Sequence, residues 1–257
     1  MDLITISSFS APKKEEFKPV AVKPDDIALL VYTAGTEGIP KGVEISHSNV
    51  ISTVAALSNS FVELSTKDCY LSYLPLGQVR ELCYSLVMFK SGCRVAFYSG
   101  DLNRIQLDLK RCSATILAAV PKVLLAIRDY IDDEFSTHSN KISRLLFKYG
   151  YPLALKKWKS EHKRIKLLDL LIFNRIKKLF GALRYIVCGQ AGLDETTQEY
   201  ISTCLGVVVG QHYGTTETSA SGCCQDKTDL TVGNVGGVLS NCEIKLVELK
   251  GMEASFF

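Results

Sequence analysis

Residues 32–43 read Tyr-Thr-Ala-Gly-Thr-Glu-Gly-Ile-Pro-Lys-Gly-Val and concentrate groups suited to phosphate. Gly35, Gly38 and Gly42 let the backbone come close to a ligand and turn its N–H groups inward. Thr33 and Thr36 add hydroxyl donors, and Lys41 adds a point charge. The spacing is not that of a Walker A loop, because no Gly-Lys-Ser/Thr occurs there. Pro40 disfavours a helical residue before it, so the loop is expected to be a flexible flap between strands. Residues 211–217, Gln-His-Tyr-Gly-Thr-Thr-Glu, form a second candidate. Tyr213 can stack on a base, and Gly214 permits close approach. Thr216 can donate to a phosphate, while Glu217 can hold Mg²⁺, whose remaining ligands are water and phosphate oxygens. Taken singly, the first segment could be a glycine-rich turn and the second a common strand-end turn.

Both segments follow apolar runs that read as strands, where open α/β sheets place their ligands. Ile27–Tyr32 is a continuous apolar run, expected to be buried on both faces as in a parallel sheet. Strand and helix then alternate. Strands are expected at 70–74, 94–98, 114–120, 184–188 and 206–210, and helices at 47–61, 81–90, 102–112, 194–205 and after Pro121. In the last of these, Val123, Leu124, Ile127 and Ile131 share one face. The pattern predicts an α/β fold with helices flanking a mostly parallel sheet. Two further strands, 230–238 and 243–248, follow without a helix between them. Residues 1–24 read as a tail, 25–228 as the α/β core with a helical insert at 138–181, and 229–257 as the start of a β subdomain.

The chain has 257 residues, 47% apolar and 22% charged, which excludes a disordered chain. Its net charge of +3 argues against nucleic acid as a partner. The charge is uneven: residues 141–178 hold 12 Lys and Arg against Glu161 and Asp169, a net of +10 that leaves −7 elsewhere. Ile142, Leu145, Leu146, Tyr149, Leu168, Ile172, Ile176 and Leu179 keep helical spacing there. This is either a solvated face on surface helices or a basic amphipathic patch for anionic lipid or a phosphate-bearing cofactor. No apolar run is long enough for a transmembrane helix, and no secretory signal is visible. Nine cysteines without a CxxC pair read as reduced thiols, with Cys223 and Cys224 as small buried residues.

Together the two candidate segments resemble the adenylate-forming superfamily, and within it the long-chain fatty acyl-CoA synthetases. Residues 33–42 resemble its Thr-Ser-Gly-Thr-Thr-Gly-x-Pro-Lys-Gly loop except at Ala34 and Glu37, and 213–217 match its Tyr-Gly-x-Thr-Glu motif. Tyr73-Leu-Pro-Leu-Gly-Gln78 with Glu81, Val120-Pro-Lys-Val-Leu124, and Gly233-Asn-Val-Gly236 with Glu243–Val247 are similar to the long-chain branch. The resemblance implies an AMP-forming ligation: a fatty acid carboxylate attacks ATP with Mg²⁺, and CoA then displaces AMP. By position, Thr33, Gly35, Thr36, Gly38 and Lys41 would hold the β- and γ-phosphates. Thr216 would meet the α-phosphate and Glu217 would hold Mg²⁺. Tyr213 and Gly214 would face adenine, opposite Gly189, Gln190 and Ala191. The expected setting is cytoplasmic, with peripheral contact to the endoplasmic reticulum or another endomembrane.

The departures from the family pattern bear on ligand binding. Glu37 sets a carboxylate where the family has Thr; at ~6 Å in water two unit charges repel by about 0.7 kcal/mol, so either Glu37 points to solvent or ATP binding is weakened. Ala34 removes a hydroxyl donor worth about 1 kcal/mol. Gln190 and Gly192 replace Gly and Pro in the adenine wall, Gln78 replaces a His, and His212 replaces a glycine beside the acyl tunnel. The resemblance covers about 18–250, the central part of a family member, so a partial chain is expected. A non-catalytic nucleotide- or acyl-binding module is the alternative to a ligase.

Overall fold

Period-two alternation sorts the strand residues onto two faces, and two hydrophobic clusters result. The computed structural model describes residues 20–33, 39–60, 63–161 and 163–247. Its main sheet contains β3 (Cys69–Ser72), β4 (Arg94–Phe97), β5 (Ile116–Ala119), β6 (Tyr185–Gly189), β7 (Val208–Gly214), β8 (Gly222–Cys224) and β9 (Gly237–Val238). These lie in the order β4-β3-β5-β6-β7-β8-β9. The first five are parallel; β8 and β9 join antiparallel. Tyr70, Ile116, Tyr185 and Val187 face one cluster, with α1 (His47–Ser60) and α2 (Val79–Lys90). Leu71, Leu117, Ile186 and Cys188 face the other, with α3 (Ile105–Cys112), α4 (Pro121–Ser136), α5 (Lys141–Glu161), α6 (Lys166–Leu168), α7 (Asn174–Leu179) and α8 (Glu195–Leu205). The expected α/β class and mostly parallel sheet are therefore present.

Local chemistry ends the elements where expected. Pro121 opens α4, whose Val123, Leu124, Ile127, Ile131 and Phe135 are buried. Asp194 caps α8 by accepting from the Thr197 N–H at 2.8 Å, and Gly206 closes it at φ 61°. All nine cysteines are free thiols, Cys223 and Cys224 among the buried ones.

Three strand expectations need correction. Ile27–Tyr32 lies in β1 (Ile27–Thr33), but β1 pairs antiparallel with β2 (Lys41–Ser46) in a separate two-stranded sheet. Ile27, Leu30 and Tyr32 are 57, 54 and 67% exposed. A two-stranded ribbon has one face on the core, taken here by Leu29, Val31, Val43 and Ile45, so the other apolar face turns outward. Second, β7 runs to Gly214, so Gln211–Gly214 lie within the strand rather than after it. Third, only Gly237–Val238 of 230–238 is a strand, and 243–247 carries no strand. The readings for 1–19, for Ala34, Gly35, Thr36, Glu37 and Gly38, and for 248–257 lie outside the described residues.

One buried carboxylate ties the amino ends of three parallel strands. Asp68, before β3, accepts from the Arg184 Nε at 2.7 Å and from the Thr115 hydroxyl at 2.8 Å. Arg184 precedes β6 and Thr115 precedes β5; the Ser65 N–H donates to the other carboxylate oxygen at 2.9 Å. Burial alone would raise the Asp68 carboxyl, but Arg184, Thr115 and Ser65 together hold it well below the usual carboxylate range. A depressed folded-state pKa contributes stability above the unfolded value near 4, and that stability is lost as pH falls toward the folded value. Asp68→Asn is expected to cost about 2–3 kcal/mol at pH 7, read by urea unfolding. It should also flatten the loss of stability below about pH 4.

Candidate active site

The carboxyl ends of β3, β6 and β7 open onto one cleft of about 290 Å³. Its lining brings together Thr33 at the end of β1, Gln78 and Arg80 at the start of α2, Gln190 after β6, Gly214 at the end of β7 and Thr216 after it. Parallel pairing explains the convergence. Gly189 is opposite His212, so β6 and β7 leave the sheet side by side.

The turn after β7 is a tightly bonded hairpin. The Thr215 N–H donates to the Thr218 hydroxyl oxygen at 3.1 Å, and the Ala220 N–H donates to the Thr215 carbonyl at 2.8 Å. Ser219 and Ala220 take left-handed φ values of 54° and 63° to close it. Such residues cost on the order of 1 kcal/mol each, so the turn is held by its surroundings. Ser221 supplies part of that hold: its hydroxyl bonds Thr53 of α1 at 2.9 Å and accepts from Asn241 at 2.9 Å. A Cβ on Gly214 would sit 2.6 Å from the Ala220 carbonyl oxygen. The glycine expected to admit a ligand is thus required first by the turn itself.

Glu217 projects from this turn into solvent and Thr216 is half-buried. A backbone N–H, the Thr215 hydroxyl and the Lys41 ammonium hold the Glu217 carboxyl below its usual range. Lys41 opens β2 opposite Thr33, whose hydroxyl donates to the Lys41 carbonyl at 3.4 Å. Lys41, at the start of the second strand of the two-stranded sheet, is therefore within electrostatic reach of Glu217. A single open carboxylate suits Mg²⁺, which keeps most of its shell as water and phosphate; no cluster of three or more metal-ligating side chains exists among the described residues.

Other expected residues are placed differently. Tyr213 is 54% exposed and does not line the cleft. Strand parity sets it with Gln211 on the α8 side, where Gly192, Gln211 and Asn234 line a second depression of about 500 Å³. Ala191 is exposed and outside the cleft lining, while Gly189 is buried beneath it. Gln190 has a φ of 76°, a conformation that favours glycine, and its amide donates to Gln78. The two residues that depart from the family pattern on opposite walls are thus hydrogen-bonded partners. His212 is a packed ring: it is 4% exposed and its Nδ1 lies 2.5 Å from the Tyr84 hydroxyl. Burial, with the Arg80 charge nearby, pushes its pKa down to about 4, so it is neutral at pH 7.

Two features went unread in the sequence. Gln198, Gln211 and Gln225 form a buried amide network; Gln198 donates to Gln225 at 3.0 Å and Gln211 donates to Gln198 at 3.0 Å. It fixes β7 against α8, and nothing in the spacing of three glutamines announces it. Arg80 is the other, a buried cation with no acidic residue at helical spacing to mark it.

A match to the AMP-binding enzyme family spans residues 3–255. The chain is 35% identical over 231 residues to the peroxisomal long chain acyl-CoA synthetase 6 of Arabidopsis thaliana, covering 90% of this chain and 33% of the relative. It is 34% identical over 230 residues to fatty acyl-CoA synthetase B of Dictyostelium discoideum, covering 88% and 34%. The chain thus spans about a third of the length of these relatives. The inhibitor-bound N-terminal domain of FACL13 from Mycobacterium tuberculosis shares the fold, with a TM-score of 0.62 at 19% identity over 87% of this chain and 46% of that one. With the match extending over almost the whole sequence, the chain belongs to the AMP-binding enzyme family.

Proposed function

We propose that this chain carries the nucleotide-binding part of an ATP-dependent, AMP-forming fatty acid ligase. The observation that carries the reading is the approach of the two-stranded sheet to the carboxyl edge of the main sheet, where Thr33 and Thr216 line one cleft and the Lys41 charge acts on Glu217. Bringing a carboxylate to a polyphosphate joins two anions, so charge neutralisation is the main demand on the site. Lys41 supplies a fixed positive charge for the β- and γ-phosphates. Thr33 and Thr216 supply hydroxyl donors on either side of the cleft. Glu217 is ionised at neutral pH and would hold Mg²⁺, which supplies further neutralisation of the phosphates. Long chain acyl-CoA synthetase relatives support a fatty acid as the acid activated and CoA as the acceptor.

A second reading concerns the insert. Ile142, Leu145, Tyr149 and Leu153 are 69, 53, 65 and 59% exposed and fall on one face of α5. Only Leu146 of the expected α5 stripe packs on the core, whereas Ile172 and Ile176 are buried as expected. Exposed Lys141, Lys148, Lys156 and Lys159 flank or lie on the apolar stripe. An apolar face edged with lysine supports contact with an anionic lipid surface. No described helix is long and apolar enough to cross a membrane.

Two experiments follow from these readings. Isothermal titration of the 257-residue chain with ATP and Mg²⁺ should show binding that Lys41→Ala and Glu217→Ala each weaken tenfold or more. Hydroxylamine trapping with palmitate then separates turnover from binding. Hydroxamate supports the ligase; nucleotide binding without it supports a binding module, and no nucleotide binding at all would contradict both. For the insert, the chain should sediment with phosphatidylcholine vesicles containing 30% phosphatidylserine. Leu145→Glu or 0.5 M salt should release it. Equal recovery with pure phosphatidylcholine would refute the anionic-lipid reading.

A further inference from the structure

Arg80 lies at the base of the cleft, second in α2, and is 7% exposed. Its Nε, Nη1 and Nη2 have no hydrogen-bond partner among the described residues. A guanidinium offers five donors, and burying it without an acceptor is costly. The fold accommodates the group without satisfying it. Its carbon lies 5.8 Å from the centre of the Tyr84 ring. Nη1 fits against β6 only because residue 189 is glycine, where a Cβ would stand 2.4 Å away.

The surrounding groups leave the charge available. Glu81 is adjacent and feels the Arg80 charge, but it accepts a hydrogen bond from the Tyr70 hydroxyl, at 2.6 Å, and none from the guanidinium. His212 is neutral. Gln78 and Gln190 are committed to each other above. No carboxylate lines the cleft among the described residues. The first turn of α2 starts in the same place; its N-cap Gln78 makes no side-chain cap, and while the Glu81 and Leu82 N–H groups donate to the Gln78 carbonyl, the Val79 and Arg80 N–H groups come before the first intrahelical bonds.

We propose that Arg80 and the first turn of α2 form an oxyanion subsite at the base of the cleft, which takes a carboxylate or phosphate group of the bound substrate. This rests on the ligase reading, in which both groups enter the cleft. The fork geometry of arginine suits either anion, because both present two oxygens in a plane. Arg80 is then a ligand-binding residue whose charge is satisfied only in the complex.

The test is Arg80→Met in the 257-residue chain, which keeps the stem and removes the charge. Isothermal titration with decanoate, with AMP, and with ATP and Mg²⁺ is paired with thermal melting of the ligand-free chain. The expected result is at least tenfold weaker binding of decanoate or AMP. Loss for decanoate identifies the acyl carboxylate as the anion; loss for AMP identifies the phosphate. The ligand-free variant should melt no lower than the parent, because an unpaired buried charge contributes nothing to the free fold. Decanoate and AMP affinities within twofold of the parent would overturn the subsite while leaving the ligase reading intact. So would a melting point lowered by more than about 5 °C, or an unfolded variant, since either makes Arg80 a structural residue. A parent chain that binds none of the three probes removes the subsite and the ligase reading together.

Discussion

The parallel register of β3, β5, β6 and β7 is the constraint on which the site depends. Parallel strands all end at one edge, so Gln78, Gln190, the last residue of β7, Gly214, and the Thr215–Thr216 pair after it come together there. The opposite edge is held by Asp68, which gathers Thr115 and Arg184 from before the two neighbouring strands. A buried carboxylate with three donors defines position more sharply than apolar packing, because its geometry is directional. Apolar contacts fill both faces of the sheet, and the polar clamp sets where along the strands they meet.

The cleft itself is built from groups that restrain one another. The Thr215–Ser221 turn is closed by its own hydroxyls and pinned to α1 through Thr53. Gln211 is fixed by Gln198 and Gln225, so β7 cannot slide relative to α8. Of the buried side chains without a partner, the Arg80 guanidinium is the one that lines the cleft among the described residues. Glu217 and Lys41 stand at its rim with opposite charges.

Much of this was legible in the sequence, and the parts that were not have physical reasons. The buried strands around Tyr70, Ile116 and Ile186 are short, wholly apolar and bounded by helical patterns, so both the α/β class and the strand positions could be read. Of the motifs at 32–43 and 211–217, Tyr32, Thr33, Gly214, Thr215 and Thr216 line the cleft, whereas Tyr213 turns away from it. Ile27–Tyr32 misled because an apolar run does not say which of its faces meets the core; here half of it faces outward. Leu230–Val238 misled because residue preference cannot supply a neighbour, and only Gly237 and Val238 reach β8. The Gln78–Gln190 bond and the unpaired Arg80 depend on contacts between residues far apart in sequence, which no local spacing encodes.

The central claim is that the Lys41 and Glu217 turns share one nucleotide with its metal. Mn²⁺ in place of Mg²⁺ makes that claim directly visible in amide NMR spectra of the chain. With ATP present, resonances of Thr33, Lys41, Thr216 and Glu217 should broaden together, and removing ATP should restore the Thr33 and Lys41 signals. Broadening confined to one of the two turns, or absent from both, would contradict the account.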